Sequence, residues 1–206
     1  IDSSELVALR ADTLAALKAS GEEAGLIARL WGGMPLYGAS ASLDTFRDLA
    51  GQYRLLHLST HGKADDRVGD YAFLALGASG GRQDFEKLYA RDLYNLDLNA
   101  DLVVLSACET GIGKLRRGEG IVSLARAFAY AGAKSLLTSL WQVDDERTRD
   151  LLVDFHKRLK SGSTKDAALQ QAKIDFLARN RRSGGALLHP YFWAGFIAIG
   201  DMRPVR

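Results

Sequence analysis

Cysteine is almost absent from this sequence. Among its 206 residues there is one cysteine, Cys108, and there are three prolines. A single thiol excludes a disulfide within the chain and fits a reducing compartment, so we expect a cytoplasmic protein.

Long apolar runs and a charge excess are lacking too. No run approaches the roughly 20 apolar residues that a membrane helix needs, and the opening IDSSELVALR has no signal-peptide pattern. The formal net charge is +2, so the overall charge requires neither a nucleic acid nor an anionic membrane as partner. Because the chain begins with Ile1 rather than Met, we expect a fragment of a larger protein.

Several cofactor and catalytic motifs are missing. GIGKLRRG at 111–118 contains Gly-Lys, but Leu115 follows the lysine and Cys108 stands where a phosphate loop has its first glycine. There is no G-x-G-x-x-G after a strand, no H-E-x-x-H and no G-x-S-x-G. Four scattered histidines and one cysteine do not make a zinc pattern. We therefore expect no cofactor and no metal.

The chain does have a regular alternation of strands and helices. Apolar runs predict strands at 54–59, 71–77, 101–107, 134–141 and 192–200, and helical spacing predicts helices at 3–18, 25–33, 43–52, 85–98, 118–132, 144–162 and 161–179. Ser42 is expected to cap the helix that follows it. Such alternation indicates a mostly parallel sheet covered on both faces. With no repeat and no linker, we expect one α/β domain over residues 1–206.

Two of the predicted strands end in reactive residues. RLLHLS runs into Thr60-His61-Gly62, and DLVVLSA runs into Cys108. If these strands are neighbours, His61 and Cys108 emerge at the same edge of the sheet, as a thiolate nucleophile and its base require. Gly62 allows a sharp turn, so that its N–H and that of Cys108 can point at a substrate oxyanion.

Each of these features also has a structural interpretation. A lone cysteine after a strand can be a small core residue, since free cysteine is often buried. We expect structural roles for His57, His156 and His189. The basic clusters, 114–117 and 179–182, are expected to be solvated loops rather than a nucleic-acid surface. The two acids that follow Trp141, at 144 and 145, can be helix-capping acids or site residues.

Two motifs, HLSTHG at 57–62 and SACETG at 106–111, carry a family resemblance. They lie in the stretches 36–62 and 101–148. Together with HPYFWAGFIAIGD at 189–201, these stretches resemble the CHAT domain, a family of caspase-like cysteine peptidases related to caspases and separase. Residues 1–35 match less well, which indicates an N-terminally truncated fragment.

The resemblance implies a fold and a catalytic pair. The fold is a caspase–haemoglobinase-like three-layer sandwich, with a mostly parallel central sheet and helices on both faces. His61 is the implied catalytic histidine and Cys108 the implied nucleophile. The backbone N–H groups of Gly62 and Cys108 form the implied oxyanion hole.

The resemblance to separase also implies a specificity pocket. Asp145, preceded by Leu140 and Trp141, stands where separase has its specificity aspartate, so an acidic floor would favour Arg or Lys at P1. Asp144 is the alternative pocket residue, and Trp141 joins the substrate-binding set. Glu119 matches a family glutamate that shapes the pocket or anchors its loop.

The function expected is a cysteine endopeptidase that cleaves a protein target through a Cys–His dyad, after a basic residue. CHAT domains are commonly fused to tetratricopeptide or other sensor modules, and several act in bacterial defence, so control by a sensor outside this chain is expected. Two alternatives stay open. One is a catalytically silent protein-interaction module, and the other is a nucleotide- or nucleic-acid-binding α/β domain, against which the missing phosphate loop and low net charge argue.

Overall fold

The fold consists of two sheets and the helices that cover them. The computed structural model describes residues 17, 19–63, 69–78, 85–106, 119–141, 143, 145–181 and 185–205, without the side chains of 119–122, 145, 148 and 186. The helices are α1 Ser20–Trp31, α2 Leu43–Leu49, α3 Ala90–Leu93, α4 Glu119–Tyr130, α5 Asp145–Lys160 and α6 Lys165–Arg181. The strands are β1 Leu55–Ser59, β2 Gly62–Lys63, β3 Phe73–Gly77, β4 Phe85–Tyr89, β5 Leu102–Ser106, β6 Ser135–Ser139 and β7 Phe196–Gly200.

The larger sheet has four strands in the order β1-β5-β6-β7. β1, β5 and β6 are parallel, and β7 runs antiparallel to β6. All five residues of β5 and all five of β6 are buried, as expected for inner strands that are covered on both faces. The predicted mixed α/β fold with a mostly parallel central sheet is confirmed.

Each face of this sheet packs against its own hydrophobic core. Leu56, Val103, Leu105 and Leu136 point to one face, where Phe46 of α2 and Leu124 and Phe128 of α4 cover them. Leu102, Val104 and Leu137 point to the other face, where α5 and α6 contribute Leu151, Leu152, Phe155, Leu169 and Phe176. Successive residues of a strand alternate between faces, so β5 belongs to both cores.

The smaller sheet has the order β2-β3-β4 and is antiparallel. The prediction of a helix over 85–98 is therefore wrong for its first five residues, which form β4; only Ala90–Leu93 is helical. Pairing with β3 overrides the helical preference of Glu86, Lys87 and Leu88. Leu88 points into the core, while the Lys87 ammonium lies 4.5 Å from the centre of the Phe73 ring on the other face.

Most other predicted elements lie where the sequence placed them. Ser42 Oγ accepts a hydrogen bond from the Thr45 N–H and caps α2. α4 ends before Gly132, whose φ of 106° falls in the region that favours glycine. The predicted helix 3–18 lies outside the described residues apart from Leu17. Within the described part of the chain, none of the helices combines the length and apolar character that crossing a bilayer requires.

Candidate active site

The two strands that precede the candidate dyad lie side by side. β1 and β5 are parallel neighbours, and the last residue of each, Ser59 and Ser106, are register partners. Beyond the strands, the Thr60 N–H donates to the Ser106 carbonyl over 3.3 Å. The condition under which His61 and Cys108 share one edge of the sheet, that their two strands are neighbours, is thus met. Cys108 follows Ser106 by two residues and lies outside the described residues.

His61 is held between the two sheets. Its carbonyl accepts the Ala75 N–H over 2.8 Å, and the Thr60 hydroxyl donates to the Ala75 carbonyl. The residue as a whole is half-buried. β3 therefore fixes the backbone of His61 at the carboxyl end of β1, where ligands of open α/β sheets bind.

Gly62 is buried and forms the start of β2, opposite Leu74. In an antiparallel ladder, hydrogen-bonded and non-hydrogen-bonded pairs alternate. Because the Ala75 N–H binds the His61 carbonyl, the next pair along, Gly62 and Leu74, is non-hydrogen-bonded. The N–H of Gly62 therefore points away from β3.

A row of serines at this edge was missed by the sequence analysis. Ser59, Ser106 and Ser139 end β1, β5 and β6, and their registers put them on the face covered by α5. The hydroxyl oxygens of Ser59 and Ser106 are buried and have no hydrogen-bond partner among the described residues. Serine as the last residue of three strands is the signal that could have found the row. These small polar side chains form a hydroxyl-lined edge beside the dyad strands.

The link from β6 to α5 carries the candidate specificity residues. The Leu140 N–H donates to the Gly195 carbonyl over 2.9 Å, and the Trp141 indole N–H donates to the Tyr191 carbonyl over 2.9 Å. Trp141 is thereby anchored to the chain just before β7. Asp145 is the first residue of α5, six residues after Ser139 in the sequence, and its side chain is not among those described.

Two other candidate residues have no described side chain. Asp144 lies outside the described residues, and Glu119 is the first residue of α4, described for its backbone alone. His189, expected to be structural, is exposed, and its Nδ1 accepts the Tyr191 N–H over 3.3 Å.

The remaining two histidines form a buried polar cluster on the α5 face. His57 Nε2 lies 2.8 Å from Glu23 Oε1, and His57 Nδ1 lies 3.1 Å from His156 Nε2. The Trp31 indole N–H donates to His156 Nδ1 over 3.2 Å. Burial, with a further contribution from His57, holds the pKa of His156 well below its ordinary value, so the imidazole is neutral.

This cluster is not suited to metal binding. The described residues contain no arrangement of three or more His, Cys, Asp or Glu side chains that could hold a metal ion. Structural roles were expected for His57 and His156, but their contact with Glu23 and Trp31 was not foreseen.

Comparison with known proteins identifies the family. A family model of the CHAT domain matches residues 2–201. The chain belongs to the CHAT domain family. The match covers residues of both dyad motifs and reaches further towards the N-terminus than the stretches from Leu36 that resemble the family.

This CHAT domain is also similar to two mammalian proteins. It is 28% identical over 211 residues to tetratricopeptide repeat protein 28 of Mus musculus, covering 87% of this chain and 8% of that protein. It is 35% identical over 114 residues to tetratricopeptide repeat protein 28 of Homo sapiens, covering 55% of this chain and 4% of that protein. The chain thus spans less than a tenth of the length of either relative, and their names mention repeats and no peptidase.

Proposed function

We propose that this CHAT domain is a cysteine endopeptidase with a caspase–haemoglobinase-like fold, which cleaves a protein target through His61 and Cys108. The observation that carries the proposal is the register of Ser59 with Ser106. These partners end neighbouring parallel strands, so Thr60 and His61 leave β1 beside the end of β5. This supports a nucleophile and a base that are far apart in sequence and close in space.

In the proposed mechanism, the Cys108 thiolate attacks the scissile carbonyl carbon, and the carbonyl oxygen becomes an oxyanion. The N–H groups of Gly62 and Cys108 donate to that oxyanion; one such donor typically contributes about 10²–10³ in rate. Protonated His61 gives its proton to the leaving amine as the C–N bond breaks, which leaves a thioacyl-enzyme. Water then attacks the thioacyl carbon while His61 accepts one of its protons, and the C–S bond breaks, which releases the carboxylic acid and restores the Cys108 thiolate and the protonated His61.

The proposed substrate preference is for Arg or Lys at P1. Asp145 would supply the carboxylate that pairs with the basic side chain, with Asp144 as the alternative, while Glu119 would support the pocket. The serine hydroxyls at the ends of β1 and β5 and the anchored Trp141 ring support a polar pocket with one apolar wall. A buried carboxylate needs a charged partner, which a basic P1 residue provides.

We extend the proposal to control by a sensor region elsewhere in a longer protein. Both relatives are named as tetratricopeptide repeat proteins, which supports a repeat module as that partner. They are mammalian and add no support for a role in bacterial defence.

The test compares the wild type with Cys108→Ala, His61→Ala and Asp145→Asn, as this chain and within the longer protein. Each is incubated with a peptide library that varies P1, and cleavage is read by mass spectrometry. Lys157→Ala, which changes an exposed side chain of α5, is the control. We expect cleavage after Arg or Lys, a loss of at least about a thousandfold in both dyad variants, and a loss of basic preference in Asp145→Asn.

The outcomes separate the parts of the proposal. Cleavage after other residues would remove the specificity assignment and keep the peptidase. Cleavage that persists in Cys108→Ala would overturn the dyad. If neither the chain nor the longer protein cleaves any peptide and a thiol-reactive peptide probe does not label Cys108, the domain is an interaction module that lacks the chemistry.

A further inference from the structure

The buried cluster of Trp31, His156, His57 and Glu23 joins three elements that are distant in sequence. Trp31 is the last residue of α1, and Glu23 lies in the same helix; His57 lies in β1 and His156 in α5. Glu23 and His156 are fully buried, and the His57 side chain is 7% exposed. α1 packs against β1 and α5, so the cluster lies between this helix and the rest of the fold.

Trp31 fixes the direction of every hydrogen bond in the cluster. An indole N–H can only donate, so His156 Nδ1 must accept. The neutral His156 ring therefore carries its proton on Nε2 and donates to His57 Nδ1. His57 in turn carries its proton on Nε2 and donates to Glu23 Oε1.

This order leaves no acceptor position on either imidazole for an additional proton. A proton bound at His57 Nδ1 faces the N–H of His156 across 3.1 Å. If His156 instead moves its own proton from Nε2 to Nδ1 and accepts from His57, its Nδ1–H faces the Trp31 N–H across 3.2 Å. Either way, one proton taken from solvent converts a hydrogen bond into two opposed donors.

We propose that this cluster is a proton-operated latch, which holds the end of α1 against α5 at neutral pH and releases it when the histidine pair takes up one proton. The contact that breaks is Trp31 with His156. Trp31 is half-buried and ends its helix, whereas His57 is held in a strand by its pairing with β5. The proposal is independent of the peptidase chemistry.

Glu23 is the charged group in direct contact with the histidine pair, 2.8 Å from His57 Nε2, and other charged groups lie around the cluster. On α1, Glu22 pairs with Arg149 of α5, one turn from the start of that helix. The Lys160 ammonium of α5 lies 5.1 Å from the centre of the Trp31 ring, so it disfavours a second cation nearby. β5 contributes Val104 beside His57, which carries no charge. Glu23 Oε1 contacts the other nitrogen of the His57 ring, Nε2, and Glu23 Oε2 has no hydrogen-bond partner among the described residues.

The three tryptophans provide an experiment with internal controls. The Trp141 and Trp193 indole N–H groups donate to the backbone carbonyls of Tyr191 and Leu188, which do not titrate. We would record the three indole signals of the 15N-labelled chain by NMR from about pH 8 to about pH 4, since burial holds the pKa of His156 well below its ordinary value. We expect the chemical shift of the Trp31 indole to change with pH with a single midpoint, and the signal of a histidine ring to change with the same midpoint. The chemical shifts of the other two indoles should stay fixed. Over the same range, the α1 amides should lose protection from hydrogen exchange and the α6 amides should keep it.

A variant tests whether Trp31 determines the pH at which the histidine pair binds its proton, read from the histidine ring signals. Trp31→Phe keeps an aromatic ring and removes the opposed donor, so the histidine pair should bind its proton at a pH higher by roughly one unit, about tenfold in affinity. Trp193→Phe is the matched control and should leave the midpoint unchanged. The latch is overturned if all three indole signals move only together, as on global unfolding, or if the α1 amides stay as protected as those of α6. It is also overturned if Trp31→Phe leaves the midpoint where Trp193→Phe does.

Discussion

His156 shows how one buried residue makes stability depend on pH. The imidazole is fully buried, and burial holds its pKa well below the ordinary value of 6.5. In the unfolded chain the ring regains that ordinary value. Between the two values, the unfolded state binds a proton that the folded state does not, so the free energy of unfolding falls as the pH drops below 6.5.

Replacement of His156 by leucine should change both the free energy of unfolding at neutral pH and the steepness with which it depends on pH. At about pH 8, we expect a loss of about 1–3 kcal/mol, because the Trp31 N–H is left unpaired in a half-buried position. Below the ordinary histidine pKa, the variant should lose stability less steeply than the wild type. Urea denaturation across the pH range measures both effects, with His189→Leu as an exposed-histidine control. An unchanged slope in His156→Leu would show that His156 is not the group responsible.

At the scale of elements, the segment just before β7 packs closely against Trp141, which lies in the segment that connects β6 to α5. A Cβ at Gly195 would lie 3.0 Å from Cε2 and 3.2 Å from Nε1 of the Trp141 ring. The same ring donates to the Tyr191 carbonyl. A side chain at 195 would therefore require the Trp141 indole to move by a few tenths of an ångström.

Substitution of Gly195 by alanine should displace the Trp141 ring. We expect a loss of about 1 kcal/mol, at the low end for overpacking because the ring is partly exposed and can move. Urea denaturation gives the stability, and tryptophan fluorescence reports the ring. Gly33→Ala is the matched control: its nearest neighbouring atom is 3.9 Å from the new Cβ. If Trp141 forms a wall of the proposed pocket, Gly195→Ala should also raise KM more than it lowers kcat; equal changes in both variants would argue against that role.

The elements differ in how well the sequence predicts them, and for physical reasons. β5 was predicted from a run of apolar residues that ends at Ser106, because a strand buried on both faces needs no other signal. β4 was predicted as helix because its residues favour a helix locally. The strand that overrides this preference, β3, lies outside that stretch, so the local pattern carries no signal of the pairing. The sequence did not determine that the two dyad strands are neighbours: the prediction was made on that condition, and the structure meets it. The latch cluster was not predicted, since His57 and His156 are 99 residues apart and no local pattern links them.

The whole molecule is organised around one sheet that serves two cores. Val103 and Leu105 point into one core and Leu102 and Val104 into the other, so neighbouring residues of β5 connect them. Neither core can lose its packing without exposing a strand that the other core needs. We therefore expect the two faces to unfold in one cooperative transition.

A matched pair of substitutions tests this cooperation. Phe128 of α4 and Phe155 of α5 are both fully buried, one in each core. Phe128→Ala and Phe155→Ala should each lower the free energy of unfolding by about 3–5 kcal/mol, because each removes a large apolar side chain and leaves a cavity. The dependence on urea should keep its slope, since the same surface is exposed on unfolding. Ile174→Ala, at a position 47% exposed on α6, should stay within about 0.5 kcal/mol of the wild type. Two separate transitions in either phenylalanine variant, observed by tryptophan fluorescence and circular dichroism at different urea concentrations, would mean that the cores unfold independently and that β5 does not couple them.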